Sequence, residues 1–309
     1  DGYEFGFDRL DRWIDMCKRC GIKYFEMSHL FTQWGAEHAP KIIAEVDGEE
    51  KRIFGWETDA DSAEYCDFLR RFAAALTAFI DKKGIRNFCR FHVSDEPSLE
   101  QYETYKKRAD IIAEIFPGFK VIDALSDIEF FDKGAVKYPI PSEDHVEDFV
   151  GKVDEIWTYY CCGQHNKDVP NRFFAMPSAR NRILGALLYK YNAVGFLQWG
   201  YNFWYSQFSK HEIDPFTVTD AGKAFPSGDA FVVYPGENGQ PLNSLRLKVF
   251  YDGLQDFAAM RLLESLVGRE KALEIIVRDD EFSFLRYPHG SSYLIALRER
   301  VNQAIKENI

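Results

Sequence analysis

Two carboxylates stand side by side at Asp95 and Glu96, in the stretch RFHVSDEPSLEQY from Arg90 to Tyr102. They follow Asn87 to Val93, an apolar run rich in aromatic and β-branched residues that reads as a strand. They precede Pro97 and then Ser98, with Gln101 three residues on. That spacing is a capping-box pattern and opens a helix over Leu99 to Phe116. The pair therefore lies between a strand and a helix, the edge where α/β folds place their chemistry. Two carboxyl groups can divide acid–base work, one donating a proton while the other carries negative charge beside a developing cation. The ordinary alternative is helix capping or ion pairing, and 49 residues of the chain are acidic.

Other polar and aromatic groups end on the same rim of a parallel sheet. Glu26, Ser28 and His29 follow a strand at Ile22–Met27. Asp123 and Asp127 accompany one at Phe119–Leu125. Tyr159 and Tyr160 close a third at Asp154–Tyr160. Trp199, Tyr201, Asn202 and Trp204, in LQWGYNFW, follow a fourth at Ala193–Trp199. Rings together with carboxylates point to carbohydrate chemistry, because sugars offer C–H faces for stacking and hydroxyls that need directional partners.

An ordinary retaining glycosidase sets two carboxyl groups about 5 Å apart across the scissile bond, usually from separate strands. Neighbouring residues diverge and suit that geometry poorly. They suit a substrate-assisted scheme, in which the 2-acetamido oxygen of the sugar attacks C1. One carboxylate then steadies the acetamido group while the other acts as acid and later as base. Trp199 and Trp204 are candidates for the floor and wall under the ring, one of them equally suited to a core. Tyr201 or Tyr159 is a candidate donor to the acetamido oxygen, Asn202 a candidate hydroxyl ligand, and His29 a weaker site residue. His92, His165 and His211 lack metal-ligand spacing, which argues against zinc-dependent hydrolysis. Arg246, at the start of a long helix, reads as structural, and Pro235-Gly236 as a turn.

The elements that must hold these groups alternate. A helical stripe carries Phe7, Leu10, Trp13, Ile14 and Cys17. An amphipathic helix spans Asp61 to Lys83, with Phe68, Leu69, Phe72, Leu76, Phe79 and Ile80 inward and Gly84 as its stop. Asp47-Gly48 between two apolar runs signals a hairpin. Further helices are read at Arg180–Tyr191 and Leu245–Val267, and a further strand at Asp229–Pro235. Strands apolar on both faces and separated by helices indicate a parallel sheet covered by helices. The element count fits an α/β (β/α)8 TIM-like barrel with an incomplete or distorted unit. A doubly wound sheet is the alternative. No G-x-G-x-x-G or P-loop follows the first strand, so nucleotide binding has no support.

The 309 residues carry a net charge of −11 and no basic cluster, which argues against nucleic acid as a partner. No apolar run approaches the about 20 residues that cross a bilayer, and no signal peptide is evident. The six cysteines read as reduced, mostly buried thiols; Cys17 and Cys20 form a lone C-x-x-C without a second pair. A cytoplasmic rather than secreted location is the expectation, with the abrupt start DGYEFGFDRLDRW read as a cut or processed end.

The chain resembles glycoside hydrolase family 123, also catalogued as a domain of unknown function. The resemblance rests on HVSDEP (His92–Pro97), RNRILGALLYKYNAVGFLQWGYNFW (Arg180–Trp204), VVYPGENGQPLNSLRLKVFYDGLQDFAAM (Val232–Met260) and FEMSHLFTQWG near the start. It implies a (β/α)8 barrel and a retaining β-N-acetylgalactosaminidase that works by substrate assistance, with no metal or organic cofactor. Carried onto these positions, it makes Glu96 the general acid/base and Asp95 the stabiliser of the oxazolinium intermediate. Members of that family usually carry β-rich domains before the barrel, whereas this chain starts almost at it. The resulting expectation is a single glycosidase-like barrel domain over 1–309, with the helical segment 268–309 packed on it. The substrate would be a carbohydrate or glycoconjugate. The alternatives are a hexosaminidase of different sugar specificity and a catalytically inactive carbohydrate-binding barrel.

Overall fold

The computed structural model describes residues 2–278 and 281–309, and the chain divides into two units, Asp1–Ile140 and Pro141–Ile309. In the first, α1 (Asp8–Arg19), β1 (Phe25–Glu26), β2 (Ile42–Val46), β3 (Glu49–Phe54), α2 (Ala63–Lys83), β4 (Cys89–Phe91), α3 (Tyr102–Ile115), β5 (Lys120–Ala124), α4 (Glu129–Asp132) and β6 (Tyr138–Ile140) follow one another. Strands β1, β4, β5 and β6 lie side by side in that order, all parallel. Spatial order thus repeats chain order. This is the single winding found in barrels, without the reversal that defines a doubly wound sheet.

Helix α2 begins where the Ser62 hydroxyl accepts the Tyr65 N–H and ends at Gly84, whose φ of 67° suits a left-handed cap. It buries Phe68, Leu69, Leu76 and Ile80, each side chain worth about 1.5–3 kcal/mol of burial. Phe72 and Phe79 are partly buried and meet Phe5 and Phe7 ring to ring. The expected hairpin forms between β2 and β3, with Asp47 and Gly48 both at positive φ, as a two-residue primed turn requires. Strand β1 is shorter than expected, since Ile22 to Tyr24 remain exposed. Strand β4 starts late because Arg86–Phe88 wind a 3-10 turn. The sequence reading omitted β6: Pro139 argues against a strand, yet β6 stands at the sheet edge, where a missing N–H is tolerated.

The second unit contains α5 (Val146–Phe149), β7 (Trp157–Tyr159), α6 (Ser178–Arg182), α7 (Leu184–Lys190), β8 (Gly195–Leu197), β9 (Val233–Pro235), β10 (Pro241–Asn243), α8 (Leu245–Val267), α9 (Arg269–Ile276) and α10 (Ser291–Glu307). Strands β7 and β8 are parallel, and β9 and β10 form an antiparallel hairpin. The helix expected at Arg180–Tyr191 is divided into α6 and α7. Helices α7 and α8 approach so closely that a Cβ at Gly185 would lie 1.8 Å from the Gly253 carbonyl oxygen. Buried Asp256 of α8 pairs with Arg182 of α6 and Arg298 of α10, over a core that includes Ile183, Leu187, Met260, Leu263 and Val301.

Among the described residues the parallel strands form one four-stranded and one two-stranded sheet, and no closed barrel is found. No helix among them is long and apolar enough to cross a membrane. The cysteines are free thiols, but only Cys17 and Cys89 are buried and Cys20 is exposed. Cys20 lies outside the core because it caps α1 beyond that helix's buried face.

Candidate active site

Asp95 and Glu96 lie just past β4, and the chain holds them from both neighbouring strands. On one side, the buried Asp123 carboxylate at the end of β5 accepts the N–H of Val93 at 3.1 Å and of Ser94 at 3.3 Å, together with the Tyr105 hydroxyl. The Glu96 N–H donates to Ala124 O at 2.9 Å. On the other side, the segment after β1 supplies three bonds. The Ser94 hydroxyl donates to Thr32 O at 2.9 Å, the Gln33 amide to Asp95 Oδ2 at 2.9 Å, and the Trp34 N–H to Asp95 O at 3.2 Å. The expected cap is present, with Gln101 Oε1 accepting the Ser98 N–H at 3.0 Å, and its amide also donates to Trp34 O.

Within this frame Glu96 adopts φ 43°. Left-handed backbone at a non-glycine residue costs on the order of 1–3 kcal/mol and persists only where the surroundings enforce it. Asp95 is half-buried and Glu96 exposed. The pair is thus a steadied carboxylate beside an accessible one.

Their surroundings shift other groups. Full burial, reinforced by the Asp95 charge, pushes Asp123 up to about 8, against the donors from Tyr105, Val93 and Ser94. Burial raises Glu26, and Asp95 raises it further. Burial and the neighbouring His29 bring His92 down to about 4, although the Met27 backbone opposes them. His92 is therefore neutral at pH 7, and its Nε2, 3.2 Å from Glu26 Oε1, makes no ion pair there. His29 lies edge-to-face with His92 at 5.3 Å. Glu26, His29, His92, Asp95 and Glu96 thus share the carboxyl-end edge of β1 and β4. Gln33 and the clamping role of Asp123 had no local signal, since their partners lie 62 and 30 residues away.

The second unit carries the ring-rich segment after β8. Trp199 is 42% exposed and Tyr201 56%, whereas Tyr159 is only 6% exposed. Asn202 is exposed and pairs through its backbone with Phe231. Trp204 is half-buried, its indole N–H donating to Val233 O at 3.0 Å. Of the two tryptophans, Trp199 therefore offers the freer face and Trp204 is tied to β9. Arg246 donates to the carbonyls of Gly228 and Phe231.

The family model "Glycoside hydrolase 123, catalytic domain" matches residues 1–263. Among solved structures, the chain is similar to a family 123 glycoside hydrolase from Clostridium perfringens, described for glycolipid glycan hydrolysis, with a TM-score of 0.67 and 18% identity. The similarity covers 98% of this chain and 55% of that one, so this chain spans about half the length of its structural relative. No curated protein matches the chain.

Proposed function

This chain belongs to glycoside hydrolase family 123, and from that premise we propose that it removes terminal β-linked 2-acetamido sugars, N-acetylgalactosamine foremost, with retention. Glu96 acts as general acid and then base. Asp95 orients the acetamido group and stabilises the oxazolinium that forms when the acetamido oxygen attacks C1. The observation that carries this reading is the different exposure and backbone conformation of two adjacent carboxylates. Asp95 accepts from Gln33 and is half-buried, while Glu96 is exposed on left-handed backbone. One suits a constant electrostatic partner, the other a group that must meet a leaving oxygen and then water.

His29, beside His92, is a further sugar-side residue of the first unit. In the second unit, Trp199 offers a ring face for a sugar, with Tyr201, Asn202 and Trp204 around the same segment. Exposed Tyr201 is favoured over buried Tyr159 as a hydroxyl donor. The in-order parallel strands β1, β4, β5 and β6 support the (β/α)8 reading of the architecture.

The test is release of 4-nitrophenol from the β-N-acetylgalactosaminide and from the corresponding glucosaminide. Faster release from the first, with competitive inhibition by a thiazoline mimic of the oxazoline, is expected. Release from neither refutes the activity. Labelling of a carboxylate by a fluorosugar that traps glycosyl-enzymes refutes the mechanism.

A further inference from the structure

Trp199 is 42% exposed yet held at its edge. Its indole N–H donates to Asp229 Oδ2 at 3.1 Å. Asp229 itself is 0% exposed. Its Oδ1 lies 3.4 Å from the Gln198 amide, and Gln198 Oε1 in turn accepts the Gly200 N–H at 2.6 Å and an Arg172 donor. Arg172 also donates to the Gly200 and Asp229 carbonyls. Arg246 donates to the carbonyls of Gly228 and Phe231 on either side. Gly200 permits the approach, because a Cβ there would sit 2.7 Å from the Asp229 and Ala230 carbonyl oxygens. Phe203 and Phe225 meet the Trp199 ring at 5.2 and 5.1 Å, with interplanar angles of 66° and 63°.

We propose that Asp229 is a positioning residue whose buried carboxylate fixes the Trp199 indole in one pose, so that the exposed part of the ring is ready for a sugar before the sugar arrives. The inference rests on the reading of Trp199 as a sugar platform and adds what holds it. Freezing a rotamer-rich side chain on binding costs about 0.5–1.5 kcal/mol, and a ring already fixed avoids that cost. Holding a carboxylate and two guanidinium groups out of water is a poor way to gain stability compared with an apolar cluster. The same arrangement is an efficient way to dictate one geometry, because each buried donor needs its acceptor. Burial raises Asp229 to about 6 against the Trp199 donor and the Arg172 and Arg246 charges, and it lowers Arg246 to about 10.

The experiment reads the tryptophan indole 15N–1H resonances of the intact chain, with the Trp199 signal assigned by its loss in Trp199→Phe. In the unsubstituted protein that signal should exchange slowly with solvent and shift as Asp229 titrates. Arg172, Arg246 and Tyr160 are the other ionisable groups around the carboxylate. Asp229→Asn, which keeps an acceptor, should retain the ordered signal and abolish the shift. Asp229→Ala should move it to solvent-like exchange and weaken binding of methyl β-N-acetylgalactosaminide about tenfold, with no further loss when added to Trp199→Phe. A Trp199 signal unchanged in folded Asp229→Ala overturns the proposal. So does equal titration in Asp229→Asn, or an undiminished binding loss in the Trp199→Phe background. If the unsubstituted protein does not bind the sugar, the platform reading fails, while the resonance still decides whether Asp229 sets the ring.

Discussion

The carboxylate edge of the first unit and the aromatic edge of the second solve the same problem by different means. Each follows a parallel strand and must present a side chain that would otherwise wander. The first edge is fixed through the main chain: Asp123 and Ala124 grip the peptides of Val93, Ser94 and Glu96, and the Trp34 N–H grips that of Asp95. The second is fixed largely through side chains, with Arg172, Gln198 and Asp229 joined around Gly200 and the Trp199 indole. The difference follows from what each presents. A carboxylate that exchanges protons must remain near water, so the backbone beneath it is secured instead. An indole has one polar atom at its edge, and tying that atom fixes the ring without covering it with polar groups.

The comparison breaks most visibly at Glu96. Glu96→Gln keeps the shape and removes the proton, so kcat/KM on an unactivated β-N-acetylgalactosaminide should fall by about 10²–10⁴-fold while thiazoline binding persists. A smaller loss, about 10²–10³-fold in kcat, is expected for Asp95→Asn, which removes a preorganised charge beside the developing cation; steady-state kinetics on the same substrate check it. Trp199→Ala should act on the other side of the comparison. It should raise KM about tenfold with little change in kcat, since a stacking face of about 1–1.5 kcal/mol serves ground and transition states alike.

A separate effect is expected at Asp123, and it is read in stability rather than in rate. The folded state raises this carboxyl from 3.8 to about 8, so the native protein keeps a proton that the unfolded chain releases. Its contribution is fully present below pH 4 and is lost as pH rises towards 8. Asp123→Asn cannot ionise, so urea midpoints measured at pH 5 and pH 8.5 should differ less than in the unsubstituted chain. An equal difference would show that Asp123 is already ionised in the folded protein at both pH values.

How much of this was readable from the chain divides along the same line. Asp95-Glu96, the capping box at Ser98 and Gln101, the Asp47-Gly48 turn and the helix at Leu245–Val267 all declare themselves through neighbours a few residues apart. The anchors do not. Gln33, Gln198 and Asp229 resemble any other polar residue, and Asp123 reads only as a rim carboxyl, until folding brings partners from 30 to 62 residues away. Asp229 was read as the first residue of a strand, yet the strand begins at Val233. Residues 228–231 are instead engaged by Arg172, Arg246, Trp199 and the Asn202 backbone. Strand lengths suffered for a related reason: apolar runs mark burial, and burial continues where pairing stops, as at Val93.

The central claim is that adjacent carboxylates serve a nucleophile supplied by the sugar itself. It is tested most directly with 4-nitrophenyl β-galactosaminides bearing acetyl, fluoroacetyl, difluoroacetyl and trifluoroacetyl groups on nitrogen. Each fluorine weakens the carbonyl oxygen as a nucleophile without altering the leaving group. Participation by that oxygen predicts a steep, monotonic fall in kcat/KM across the series. Rates independent of fluorination would contradict it and return the nucleophile to the protein.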